Sequence, residues 1–349
     1  MDSLAYIQDF LVQLLNTPSP TGDTDDAIRL CESQASAFGL PHRRNRKGSL
    51  LLTLPGQRQD AHRLITAHVD TLGAMVKEVL PSGRLRLTQV GGYAWNSIEG
   101  EYCGVKTQNQ EVLTGTILLH NTSVHVNREV ASTERKADNI EVVLDAKTTS
   151  AEQTRALGVE VGDFVYFDPR VQITSTGFVK SRHLDDKASV SVVFGVLREI
   201  VTKSLTLPHT VHVLISNNEE IGYGGNSNIP EETVEYLAVD MGAIGEGQAT
   251  DEYSVSICAK DSSGPYHLGL RRHLVRLAQE LNLQYAVDIY PYYGSDASAA
   301  VRAGADVAHG LIGPGVANSH AYERLHLDAL ENTYRLLLAY LLSPLAPVR

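Results

Sequence analysis

Cysteine is scarce and unpatterned: only Cys31, Cys103 and Cys258, at wide spacings, occur in 349 residues. An odd, scattered set supports neither a disulfide framework nor a thiolate zinc site. Buried thiols in a reducing cytoplasm are the expectation, and any metal must then be held by nitrogen and oxygen. An excess of positive charge is also missing. With 30 Lys and Arg against 41 Asp and Glu, the formal charge is −11, so neither nucleic acid nor an anionic membrane is an expected partner. No stretch is long and apolar enough to span a bilayer, and the Met1-Asp2-Ser3 start carries no basic run followed by an apolar core. The cytoplasm is the expected location. Low-complexity linkers and internal repeats are absent, and 43% hydrophobic against 20% charged residues describes a folded chain rather than a disordered one.

What is present is an alternation of helix and strand signals with one long interruption. Leu4, Ile7, Leu11, Leu14 and Leu15 recur at three- and four-residue steps, predicting a helix that the Thr17-Pro18-Ser19-Pro20-Thr21-Gly22 run breaks. A second helix is expected from Asp23 or Thr24, then strands at 49–54 and 63–67, the second ending on His68. Residues 73–179 change texture to short β-branched runs, such as 112–119, 140–144 and 163–167, separated by turn residues. Afterwards the alternation resumes. Helices are expected at 187–200, 267–281 and 327–342, and strands at 210–216, 236–240, 285–290 and 307–312. This order predicts an α/β domain made of residues 1–72 and 180–349, interrupted by a β-rich insertion at 73–179. The chain length suits two domains.

Candidate chemistry gathers at the ends of the predicted strands, where an open α/β sheet meets its ligand crevice. Thr66-Ala67-His68-Val69-Asp70 places an imidazole and a carboxylate two residues apart in extended chain, hence on one side. That spacing suits a metal-binding histidine with a carboxylate on its other ring nitrogen, or a hydrogen-bonded structural pair. His183-Leu184-Asp185-Asp186-Lys187 precedes an apolar helix, so its acids either cap that helix or hold a divalent ion, since one carboxylate can bridge two. Asn217-Asn218-Glu219-Glu220 follows a strand, and adjacent acids delivered there repel each other unless a cation or shared proton intervenes. Asp240 ends the next strand, and His320 follows a Gly-Pro-Gly loop. Together these supply the nitrogen and oxygen donors of a two-metal site. Tyr292 and Tyr293 read as core aromatics more readily than as pocket walls.

The series AHVD, LDDK, NNEE, VD and NSH, in that order and spacing, resembles the tetrahedral aminopeptidases of metallopeptidase family 42, which include glutamyl and deblocking aminopeptidases. The resemblance covers nearly the whole chain, including the Thr17–Gly22 loop, Val161-Gly162-Asp163-Phe164 and Gly294-Ser295-Asp296-Ala297. It implies an α/β/α sandwich of the zinc-aminopeptidase kind with an inserted, barrel-like β domain for dimerisation. It implies His68 as ligand of one metal, Asp186 as the bridging carboxylate, Glu220 and Asp240 as terminal ligands, and His320 as ligand of the other metal. Glu219 would be the general base, Asp70 would orient His68, and Asp185 would neighbour the bridge. Two divalent ions, zinc or cobalt foremost and manganese as an alternative, would serve removal of N-terminal residues from short peptides. A homo-oligomer, from dimer to twelve-subunit shell, would be expected.

Some segments depart from the family pattern: Thr71-Leu72-Gly73, Ile221-Gly222-Tyr223-Gly224-Gly225 and Tyr322-Glu323-Arg324. They bear on the substrate pocket, and they keep open an amidohydrolase or deacylase acting on N-blocked dipeptides. A non-catalytic binding protein would not need Glu219. A glycosidase is disfavoured because directly adjacent Glu219 and Glu220 do not flank a glycosidic bond as an opposed pair.

Overall fold

Hydrophobic residues on the central strands alternate between two faces, and that alternation builds the layers. In the computed structural model, which describes residues 2–347, Val211, Val213 and Ile215 enter one core while Leu214 enters another; Leu237 and Val239 are likewise opposed to Tyr236 and Ala238. Such strands are buried on both sides, as parallel strands between helical layers must be. The sheet they form has ten strands. At its centre His209–Ser216, Arg58–His68, Thr233–Val239 and Ala308–Val316 lie side by side and parallel. Leu50–Leu54 pairs antiparallel outside the first of these, and Val255–Asp261 antiparallel outside the last.

The larger core lies under the helices Ser3–Leu15, Asp25–Ala37, Leu184–Thr202, Leu268–Glu280 and Leu327–Leu342. On the opposite face the short helix Asp296–Arg302 contributes Ala297 and Ala300 to the second core. This is the α/β/α sandwich. Its helices bury apolar stripes at helical spacing, Ile7, Phe10, Leu11, Leu14 and Leu15 in the first, and each such side chain contributes about 1.5–3 kcal/mol of transfer free energy. Among the described residues no helix is long and apolar enough to cross a membrane.

Thr71–Arg170 forms a second unit with its own core. Six strands, Gly73–Val79, Leu85–Val90, Ile140–Leu144, Val112–Leu119, Tyr102–Lys106 and Phe164–Phe167, close in that order into a barrel. Alternate residues such as Val142, Leu144, Ile117 and Leu119 fill it. The chain returns to the first unit at Val171. Residues 171–179, which share the β-rich texture of the insertion, instead supply Gln172–Ile173 and the start of Phe178–Ser181 to a three-stranded sheet with Glu323–His326. Strand texture alone does not say which sheet a strand joins.

Candidate metal centre

Four parallel strands end at one edge of the central sheet, in a register that sets Ser216 opposite His68 and Val239 opposite Ile312. His68 terminates the first of them. Glu219 and Glu220 occupy the single turn after Ser216, Asp240 follows Val239, and His320 lies four residues past Val316. Asp185 and Asp186, joined by a cis peptide bond, sit where the helix Leu184–Thr202 begins, with backbone angles outside the helical range. Consequently His68, Glu220, Asp240 and His320, four of the five expected ligands, come together with Asp185 at the carboxyl ends of the strands.

Two groups of donor atoms form there: His68, Asp185 and Asp240, and then Asp185, Glu220 and His320, each with its atoms within 4.8 Å of one another. Asp185 belongs to both. Its Oδ1 lies 3.3 Å from His68 Nε2 and its Oδ2 lies 3.4 Å from His320 Nε2. Asp186 faces elsewhere, its Oδ2 accepting the backbone N–H of His68 at 3.2 Å. The carboxylate with an oxygen toward each histidine is therefore Asp185 rather than the Asp186 expected from sequence. The reason is local backbone geometry at the helix start, where neighbours with φ, ψ of −77°, 101° and −123°, 24° direct their side chains differently.

Asp70 also acts differently from the expected imidazole–carboxylate pair. His68 Nδ1 lies 2.9 Å from the Asp70 carbonyl oxygen and 3.5 Å from its carboxylate. The carboxylate instead accepts the N–H groups of Glu219 and Glu220, both at 3.2 Å, and the Thr21 hydroxyl at 2.8 Å. Thus Asp70 pins the turn that presents Glu219 and Glu220. The Pro-rich loop braces this arrangement from behind: Ser19 donates to the Val69 carbonyl at 2.7 Å, and buried Lys187 donates to the Thr17 carbonyl at 2.7 Å. Burial lowers Lys187 to about 7. The sequence marks this loop by its helix-breaking residues and by the resemblance, and assigns no role to Thr21, Lys187, Ser319 or Asp296. Ser319 donates to Asp185 Oδ2 at 2.9 Å, and Asp296 accepts from the Ser216 hydroxyl and the Gly225 N–H, both at 2.5 Å. A strand-end Ser216 and a Ser-Asp helix start were the available signals.

The electrostatics of this cluster suit a cation. Burial, then the charges of Asp240, Asp296 and Glu220, push Glu219 well above the usual carboxylate range, with His68 opposing. Burial and Asp185 raise Glu220 to about 8, and the same two causes raise Asp240 to about 7. Asp185 moves the other way: burial pushes it up, but His320 and His68 hold it well below the usual range. His68 is raised by Asp185 and Asp70 against its burial. Its Nε2 is buried and makes no hydrogen bond, although carboxylate oxygens of Asp185 and Glu219 lie at 3.3 and 3.7 Å. An orphaned imidazole nitrogen among repelling carboxylates fits a divalent ion, and this donor set suits zinc, cobalt or manganese.

A cavity of about 600 Å³ opens over Asp185, Glu219, Glu220 and Asp240, walled by residues 290–296 and by the segment around Ile244. Tyr293 lines it and donates its hydroxyl to the Met241 carbonyl at 3.0 Å. Tyr292, expected in the core, is 99% exposed on the same wall.

Comparison with known proteins agrees with the fold and extends it. The sequence profile described as M42 glutamyl aminopeptidase matches residues 48–336. YhfE of Bacillus subtilis (strain 168), which carries a provisional aminopeptidase name, is 57% identical over 345 residues, covering 99% of this chain and all of that protein. Among solved structures, a TET aminopeptidase from a marine-sediment Thaumarchaeota archaeon superposes with a TM-score of 0.87 at 18% identity, over 96% of each chain. The Pyrococcus horikoshii TET1 peptidase, described as assembling into a tetrahedron or a large octahedral shell, gives 0.85 at 21% identity, over 97% of this chain and all of that one.

Proposed function

The chain belongs to the M42 glutamyl aminopeptidase family and is a peptidase, and from that premise we propose a two-metal aminopeptidase that removes N-terminal residues from short peptides. One observation carries the reading: Asp185 presents one oxygen toward each histidine, so two ligand groups share a carboxylate. His68 and Asp240 would complete one group, and His320 and Glu220 the other, with Asp185 as bridge in place of Asp186. Bound there, divalent zinc, cobalt or manganese supplies Lewis-acid polarisation of the scissile carbonyl and acidifies a nucleophilic water.

Glu219 is the proposed general base. It lines the cavity, and its backbone is fixed by Asp70. Its carboxylate takes a proton from the attacking water and delivers it to the departing amine nitrogen, a role worth about 10²–10⁴ in rate. No covalent intermediate is required. Asp296 and Glu246, acids of the same lining that are not among the proposed ligands, suit the positive charge of a free α-amine, which favours the chain end over an internal bond. The tetrahedral and octahedral assemblies of the Pyrococcus horikoshii relative support a homo-oligomer here, with the β-rich unit Thr71–Arg170 as the proposed contact region.

The test incubates metal-loaded protein and its Glu219→Gln variant with matched free-amine and N-acetylated dipeptides and tripeptides, following products by mass spectrometry. Stepwise, Glu219-dependent loss of single residues from the free-amine set is expected. Cleavage confined to N-acetylated dipeptides would replace this reading with an amidohydrolase acting on blocked substrates.

A further inference from the structure

The segment after His320 departs from the family pattern, and it contains a buried carboxylate to which no role has been attached. Glu323 is 2% exposed. Its Oε2 accepts the backbone N–H of Asp185 and its Oε1 accepts the backbone N–H of His320, both at 3.2 Å. One side chain thus ties together two ligand-bearing segments 135 positions apart in sequence, by the difference of 320 and 185. The pairing of strands explains why it can. Glu323 stands opposite Ser181 where Phe178–Ser181 and Glu323–His326 run antiparallel, and the chain reaches Asp185 four residues after Ser181 and leaves His320 three residues before Glu323.

The segments so tied are conformationally demanding. His320 has φ of +65° and Asn318 has φ of +58°, a left-handed backbone that, for histidine above all, persists only where its surroundings hold it. His183, two residues before Asp185, has φ of +70°. A carboxylate that accepts amide hydrogens from both segments opposes relaxation of either. It also sets the separation of Asp185 from His320, whose side chains face each other at 3.4 Å.

We infer that Glu323 is a positioning residue which holds the Asp185–Glu220–His320 group in ligating geometry through two backbone amides. This rests on the two-metal reading above. Residues behind metal ligands typically change affinity by about 10- to 100-fold when removed, and the two ligands held are His320, which belongs to one group, and Asp185, which both groups share. The loss should therefore fall more heavily on the ion of the Asp185–Glu220–His320 group than on the other.

The test titrates cobalt(II) into metal-free protein, with binding followed by calorimetry and by the visible absorption of bound cobalt. Wild type should take up two ions. Glu323→Ala should bind the second ion about 10- to 100-fold more weakly than wild type, with a smaller loss for the first. Glu323→Gln keeps the shape but sets an amide N–H against one of the two backbone N–H groups, so it should lose affinity for the second ion too, which keeps the inference testable if the alanine variant fails to fold. Added metal should restore kcat in both variants without a matching change in KM, a rescue that a merely structural residue would not give. Two ions bound with wild-type affinity by both variants would overturn the inference alone. A wild type that binds no cobalt would overturn the metal reading and this inference with it.

Discussion

At the scale of single residues, the carboxylates of the Asp185-Asp186 pair differ in what each one faces. Asp185 looks at both histidines, whereas Asp186 is fully buried and bonded to the His68 backbone. Asp185→Asn should reduce bound metal from two ions to fewer than one per chain and abolish turnover, because the shared ligand is lost. Asp186→Asn should retain metal, with an about 10- to 100-fold loss of affinity at most, since it acts behind His68. Metal analysis after dialysis distinguishes them, and the reverse order would contradict the assignment. The candidate donors are legible in sequence because four of their five places stand at or just past a strand end, where an open α/β sheet binds, and the fifth, the Asp185-Asp186 pair, opens a helix. The member of the acidic pair that faces the crevice was not legible. Side-chain direction there depends on the φ, ψ values of two adjacent non-helical residues, and residue identity does not encode those.

At the scale of elements, the site depends on how closely the turn after His209–Ser216 approaches the short helix Asp296–Arg302. A Cβ placed on Gly225 would lie 2.1 Å from the Tyr236 hydroxyl and 2.7 Å from the Asp296 Cβ. Both side chains are buried, and neither can yield freely. Gly225→Ala should therefore destabilise the protein by about 1–3 kcal/mol, as overpacking does, whereas Gly245→Ala, with nothing within 4 Å, should stay within about 0.5 kcal/mol of wild type. Urea midpoints check both, and equal stability of the two variants would contradict the packing argument. The sequence pattern reached the long helices and several barrel strands, with 112–119 and 140–144 found where expected. It passed over Asp296–Arg302 and Val255–Asp261. Seven residues give too few turns for a helical period to emerge, and a strand buried through most of its length shows no polar alternation. Gly294-Ser295-Asp296-Ala297 nevertheless carried the signal, since Ser295 and Ser298 form a capping box.

At the scale of the whole molecule, several histidines in the catalytic unit are held neutral. Burial, then the charge of His62, lowers His212 to about 4, and burial also lowers His209, His273 and His309. An unfolded histidine takes up a proton near pH 6.5, so between about 6.5 and about 4 the unfolded chain binds more protons than the native one at His212. The contribution of neutral His212 to stability is complete above about pH 6.5 and is lost as pH falls toward about 4. His212→Gln does not titrate. The stability of wild type relative to this variant should therefore decline as denaturant midpoints are taken at pH 7.5, 6 and 5. A difference that grows on acidification would contradict the reading. Two-unit organisation follows from the interruption of the helix–strand alternation, while the place where the chain rejoins the catalytic unit depends on the pairing of Phe178–Ser181 with Glu323–His326. That partner lies about 150 residues away, beyond the reach of local pattern.

The central claim is that Asp185 bridges two metal ions in a peptidase site, and anomalous diffraction from crystals soaked in zinc tests it most directly. Two peaks are expected, one among His68, Asp185 and Asp240 and the other among Asp185, Glu220 and His320, with the Asp185 carboxylate between them. A single peak, or two peaks joined through Asp186 with Asp185 turned away, would contradict it.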